Sequence, residues 1–148
     1  MDADVIVVGA GPAGLFAAWR MLQEGLSVLV LEASPYARWG QRWCVDVEER
    51  YFADGVVPTP ASGVEVQEGH APGLLARPPE GGHRRWSSHR FPIRTLRLWR
   101  LQEDLRQRVE ALGGAVRFGQ RVTGLGRDGH GHAVVHAGEG PELHARAL

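Results

Sequence analysis

The chain has 148 residues, with 17 arginines, no lysine, and 17 acidic residues that leave a formal net charge of zero. That balance gives no electrostatic basis for binding nucleic acid or an anionic membrane surface, and the absence of lysine excludes Schiff-base chemistry from a side chain. A single cysteine, Cys44, excludes an intramolecular disulfide and a cysteine-cluster metal site.

The N-terminus, Met1-Asp2-Ala3-Asp4, is acidic, and the apolar run after it is broken at Gly9 and Arg20. It reads as neither a signal peptide nor a membrane span, and a cytoplasmic location is expected. Val5 to Val8 form a continuous apolar, mostly β-branched run, the pattern of a parallel strand buried on both faces. Gly9 then permits a tight turn, Gly11 lets the backbone approach a pyrophosphate, and Gly14 lets the next helix pack close to the strand. Pro12 sits where a helix can spare an N–H. Leu15, Ala18, Trp19 and Leu22 share one face of a helix that runs to about Glu24 and is stopped by Gly25. The free N–H groups and partial positive charge at its start suit an anion. Val28 to Leu31 make a second strand, and Glu32 follows Gly14 by 18 residues, close to the spacing of a carboxylate that accepts a ribose hydroxyl. Strand, glycine turn, helix, strand and acid together read as a βαβ unit for the ADP half of a dinucleotide. Its candidate cofactor-binding residues are Gly9, Gly11, Pro12, Ala13, Gly14, Glu32 and Ala33. An acid at position 32 repels the 2′-phosphate of NADP, which leaves FAD or NAD.

Residues 35–92 hold seven of the nine prolines and show weak periodicity, so an irregular insertion is expected. Within it, Arg38-Trp39-Gly40-Gln41-Arg42-Trp43-Cys44 holds one more candidate. The fixed fork of donors on Arg42 suits a phosphate or flavin contact. The alternative is a surface Arg42 stacked on Trp39 or Trp43 beside a buried, inert Cys44. Arg84, Arg85 and Trp86, then Arg90, Arg94, Arg97 and Arg100, interleave basic and aromatic residues, but the balanced total charge argues against single-stranded nucleic acid. They read as a solvated face. His70, His83 and His89 lie at no ligand spacing.

From near Ile93 a helix is expected, with Leu98, Leu101, Leu105, Val109 and Leu112 on one face and Gly113 and Gly114 at its close. Strands should follow at 115–118 with 121–125, then 132–137, then 142–147, divided by turns at 127–131 and 138–141. His132 and His136 fall on one strand face at about 13 Å, too far apart to share an ion, and His130 lies in a turn, so no metal is expected. No internal repeat is visible.

VIVVGAGPAGLFAAWRMLQEGLSVLVLE resembles the N-terminus of the superfamily of FAD-dependent oxidoreductases that includes aromatic-ring hydroxylases and geranylgeranyl reductases. Residues 101–124 resemble the later helix and strand of those flavoproteins, and residues 132–147 the hairpin leading back to the central sheet. Residues 36–92 match poorly. The resemblance implies an α/β, Rossmann-like FAD-binding domain, FAD as cofactor, NAD(P)H as electron donor and a small-molecule substrate, either hydroxylated or reduced at an alkene. It also implies that one of Arg94, Arg97 and Arg100, just before the long helix, approaches the cofactor, and it names no catalytic residue. Relatives continue beyond such a final strand into a G-A-D-G-like segment and a later Gly-Asp motif. Neither occurs here, so the sequence is expected to be the N-terminal part of a longer enzyme, with the substrate domain absent and no turnover alone. A non-catalytic nucleotide-binding fragment and part of an NAD-dependent dehydrogenase are the other readings. The oligomeric state is not readable.

Overall fold

The computed structural model describes residues 1–40, 42–54, 57–61, 63–67, 74–76, 84–86 and 93–147, with backbone alone at 65–67, 74–76 and 84–86. The chain forms two compact units, residues 1–41 with 101–148, and residues 42–100.

The first unit is built on β1 (Ala3–Val8), α1 (Pro12–Gln23) and β2 (Val28–Leu31). Strands β1 and β2 run parallel in the register Val5↔Val28 to Val8↔Leu31. All four residues of β2 are buried, as an uninterrupted apolar strand requires. β1 departs from the sequence reading: Ala3 and Ile6 are buried, Val5 and Val7 are half-buried, and Val8 is 50% exposed. Val8 stands at the carboxyl end of the strand, the end where parallel sheets leave their ligand crevice. Helix α1 buries Leu15 and Ala18 and ends before Gly25, whose φ of +81° only glycine adopts without strain.

Strand β8 (Ala115–Arg117) pairs parallel with β2, and β11 (Leu143–Ala147) pairs parallel with β1 on its other side. β10 (Ala133–Ala137) and β9 (Val122–Arg127) continue from β11 as an antiparallel meander. The sheet order is β8-β2-β1-β11-β10-β9. Ile6, Leu31, Val135 and Ala145 are central to its core. This is a Rossmann-like α/β sheet with a βαβ start, and the hairpin strands fall within a residue or two of the spans read from the sequence.

The middle of the chain is more regular than its prolines suggest. β3 (Cys44–Glu48) pairs with β7 (Ile93–Arg97), and β7 also carries β4 (Glu65–Gln67). A single helical turn, α2 (Arg50–Ala53), buries Phe52, and β5 (Leu74–Ala76) pairs with β6 (Arg84–Trp86). Helix α3 therefore starts at Leu98, not near Ile93, and ends at Ala111. Ile93 and Leu96 are buried in β7, where ladder bonds to residues 44–48 override the helical spacing. Leu98, Leu101, Leu105 and Val109 of α3 are buried, while Leu112, beyond its end, is 47% exposed.

Candidate cofactor site

The site lies in the first unit, where β1 runs into α1. Gly9 takes φ +100°, a left-handed conformation that the turn requires. Its N–H donates to the Leu31 carbonyl at 2.7 Å, tying the turn to the end of β2. Gly11 is the N-cap of α1 and offers no side-chain cap, and Pro12 occupies the first helical position. The Leu15 N–H reaches the Gly11 carbonyl at 3.0 Å, but the N–H groups of Gly11, Ala13 and Gly14 find no acceptor among the described residues. Three free donors thus gather at the positive end of a 12-residue helix.

The three fingerprint glycines are required for different reasons. A Cβ on Gly14 would stand 2.2 Å from the Gly9 carbonyl oxygen and 3.3 Å from Val7 Cγ1, so α1 seats against the turn through a missing side chain. A Cβ on Gly11 would meet nothing within 4 Å. Internal packing therefore does not require glycine there. The space in front of it suits the close approach of a phosphate chain.

Glu32 stands at the end of β2, half-buried. One carboxylate oxygen accepts the Ala10 N–H at 2.9 Å and the other accepts the Ser34 N–H at 2.7 Å. Burial opposes its ionisation, but bonds from the Ser34 and Ala10 N–H groups, the Ser34 side chain and the Ala33 N–H outweigh it and hold the carboxyl below its ordinary value. The ionised group retains lone pairs for a ribose hydroxyl. Its backbone is fixed by β8 and the following loop, through Glu32 N–H to Arg117 O at 2.9 Å and Gln120 N–H to Glu32 O at 2.8 Å.

Two residues that sequence reasoning did not place at the site converge on Ala10. The Trp39 indole N–H donates to the Ala10 carbonyl at 2.9 Å, and the Gln102 side-chain amide donates to the same oxygen at 3.3 Å. Gln102 is 3% exposed, a polar side chain among the buried leucines of α3. Its signal in the sequence was a polar residue between Leu101 and Leu105 on the apolar face. Trp39 sits after a single 3-10 turn, Tyr36–Arg38, with its ring against Tyr36 and Phe118.

Gly9, Gly11, Pro12, Ala13, Gly14, Glu32 and Ala33 thus lie together in one unit. Arg42 is exposed and lies in the second unit. Cys44 is exposed rather than buried, because it starts an edge strand. Arg94 pairs with Glu49 at 3.1 Å and lies over the Phe52 ring, Arg97 donates to the Gly63 carbonyl at 3.2 Å, and Arg100 lies 4.2 Å from the centre of the Trp99 ring. His132 faces Asp128 and His136 faces Glu142, and no group of three potential ligands is placed to share a metal ion among the described residues. His70, His83, His89 and Arg90 lie outside the described residues, as do the side chains of Arg84, Arg85 and Trp86. No helix among the described residues is long and apolar enough to cross a membrane.

Residues 4–44 match the family model described as FAD dependent oxidoreductase. The chain is 58% identical over 36 residues to a thiamine thiazole synthase of Aeropyrum pernix, covering 24% of this chain and 13% of the relative. It is 59% identical over 32 residues to digeranylgeranylglycerophospholipid reductase 1 of Methanopyrus kandleri, covering 22% and 8%. Among solved structures it is similar to OxyS anhydrotetracycline hydroxylase from Streptomyces rimosus, with 26% identity and a TM-score of 0.68 over 99% of this chain and 30% of that one. The chain therefore spans about a tenth of the curated relatives it matches and about a third of the solved ones.

Proposed function

We propose that the chain supplies the ADP-binding front of an FAD-dependent hydroxylase that uses NAD(P)H as electron donor and acts on a small organic molecule. The observation that carries this is the phosphate cradle: three free N–H groups at the start of α1, open space before Gly11, and an ionised Glu32 beside it. These residues fit FAD. The N–H groups of Gly11, Ala13 and Gly14 receive the pyrophosphate, and the Glu32 carboxylate accepts from the adenosine ribose. A bound flavin supplies the redox chemistry, and the chain's own residues bind and orient it. Arg42 is proposed as a further contact to phosphate or flavin. The hydroxylase reading is supported by 26% identity to a solved hydroxylase along nearly the whole chain, and the 59% identity over 32 residues to a reductase keeps alkene reduction as the alternative. A single exposed thiol and a balanced charge suit a reducing, cytoplasmic setting.

The test is to titrate FAD into the purified chain and follow the visible flavin spectrum and its retention through gel filtration. A bound, shifted oxidised-flavin spectrum, lost on competition with excess ADP, supports the proposal. A colourless chain at FAD concentrations in the high micromolar range overturns it, and NAD binding in its place favours a dehydrogenase.

A further inference from the structure

Ala10 is held through both of its backbone polar groups. Its N–H is taken by Glu32 at 2.9 Å, and its carbonyl receives Trp39 at 2.9 Å and Gln102 at 3.3 Å. Three separate segments thus converge on one residue of the glycine turn: the end of β2, the exit of the Tyr36–Arg38 turn, and α3. The carbonyl of Ala10 and the N–H of Gly11 belong to one planar peptide and point in opposite directions. Fixing the oxygen therefore fixes the direction of the Gly11 N–H, one of the three donors without an acceptor among the described residues.

Trp39 is itself fixed. Its ring is stacked on Tyr36 at 25°, with centroids 6.1 Å apart, and meets Phe118 edge-on at 5.1 Å and 65°. Tyr36 and Phe118 also meet edge-on at 5.2 Å, so the three rings form a closed triangle. From α3, Arg106 lies over the Tyr36 ring at 5.6 Å and is paired with Glu103 at 2.7 Å. An indole gripped by two aromatic rings delivers its N–H along one line only.

We propose that Trp39 is a positioning residue for the phosphate-binding turn. Its indole N–H, backed by Gln102, locks the Ala10–Gly11 peptide with the Gly11 N–H turned outward before any ligand arrives. This rests on the reading of the turn as a pyrophosphate site and adds how that site is kept open. The ordering cost of the turn is met during folding, so a diphosphate meets donors already aligned. Trp39 acts through the backbone of Ala10 and contacts no ligand in this account.

The experiment uses the whole chain labelled with nitrogen-15 and the variants Trp39→Phe and Gln102→Leu. Phenylalanine keeps an aromatic ring in the triangle and removes the N–H donor together with part of the indole's bulk, whereas Gln102→Leu leaves the rings untouched. In the ligand-free wild type, the Trp39 indole proton should exchange with solvent at least tenfold more slowly than the indole proton of exposed Trp43. In Trp39→Phe the Gly11 amide resonance should shift and broaden while the rest of the amide spectrum keeps its folded dispersion. ADP, the probe ligand, should bind about 2- to 13-fold more weakly, the range of one neutral hydrogen bond. Gln102→Leu should act in the same direction. An indole proton that exchanges as fast as that of Trp43, or a Gly11 resonance and ADP affinity unchanged in Trp39→Phe, overturns the proposal. A protected indole in the wild type and a Gly11 shift in Trp39→Phe, with no ADP binding by the wild type, support the clamp while refuting the phosphate site. The indole exchange needs neither a variant nor a ligand, and the Gly11 resonance needs no ligand.

Discussion

Gly11 and Gly14 separate ligand binding from folding in a way that one pair of substitutions exposes. Gly11 has φ −72° and ψ 171°, ordinary extended backbone, and an added Cβ meets nothing within 4 Å. Gly11→Ala should therefore leave the fold intact. Reduced freedom of the unfolded chain contributes about 0.4–1 kcal/mol. Loss of a good N-cap residue costs a similar amount. The net change should lie within about 0.5 kcal/mol of zero. Ligand affinity should respond differently, because the methyl group occupies the approach to the free N–H groups. Losing one charge-assisted hydrogen bond costs roughly 1.5–3 kcal/mol, or about 10- to 150-fold in Kd. Gly14→Ala should do the reverse. Its Cβ would stand 2.2 Å from the Gly9 carbonyl oxygen, so α1 must retreat by roughly 1 Å or more to restore an ordinary contact. Overpacking of this kind costs about 1–3 kcal/mol, against which the better helix propensity of alanine returns about 0.8–1 kcal/mol. Urea melts of both variants, beside calorimetric titration with FAD and ADP, are the assay. Unchanged FAD affinity in a folded Gly11→Ala chain would refute the path of the pyrophosphate over this residue. A Gly14→Ala chain as stable as wild type would refute the tight seating of α1.

Three further outcomes follow from the same geometry. Glu32→Gln should weaken FAD and ADP by about 10- to 150-fold, the size of a charge-assisted bond, and leave FMN, which has no adenosine ribose, unaffected; isothermal titration with the three ligands decides it. The folded chain holds the Glu32 carboxyl below its ordinary value of 4.5, so its contribution to stability is fully present above that pH and is lost as pH falls through the depressed folded value. Melting temperature should therefore drop on acidification below about pH 4.5, and Glu32→Gln should flatten that part of the profile; parallel profiles for the two chains would count against the carboxylate's bonds to Ala10 and Ser34. Cys44, being exposed, should react with a thiol reagent to one equivalent in the native chain without loss of ADP binding, and a thiol that reacts only in denaturant would contradict its place on the edge of its sheet.

The parts of this chain that were legible are those whose signal is local. Val28 to Leu31 could only be a buried strand, and Gly9, Gly11 and Gly14 each carry a backbone demand that no neighbour can supply. The βαβ unit, α3 and the hairpin strands were readable on those grounds. What escaped needed a partner distant in sequence. Ile93 to Arg97 looks helical beside Leu98 and Leu101, and becomes β7 because residues 44–48, 45 to 53 positions away, and β4 on its other side offer ladders. Proline count misled in the same region, since β3 fits between prolines at 35 and 58. Trp39 and Gln102 escaped for a different reason. Their role is to serve a backbone oxygen, and a carbonyl at Ala10 leaves no mark in the residue code. Val8 was read as buried because it is valine, yet half its surface is open at the mouth of the sheet.

The central strand of the sheet has one neighbour near at hand and one far away. Val5 meets Val28 across 23 residues, but Ala3 meets Ala145 across 142. The Asp2 N–H donates to the His144 carbonyl, the His144 N–H donates to the Asp2 carboxylate, and Arg146 reaches Asp4 at 3.3 Å, all at the same seam. During synthesis from the N-terminus, β1, α1 and β2 can associate long before β11 exists, with one edge of β1 left unpaired in the meantime. Joining that seam closes the longest loop in the chain, a slow event for a sheet of this topology. The glycine turn sits at the end of the same strand, so the cradle for the phosphates starts to form early on a strand whose second neighbour arrives 142 residues later.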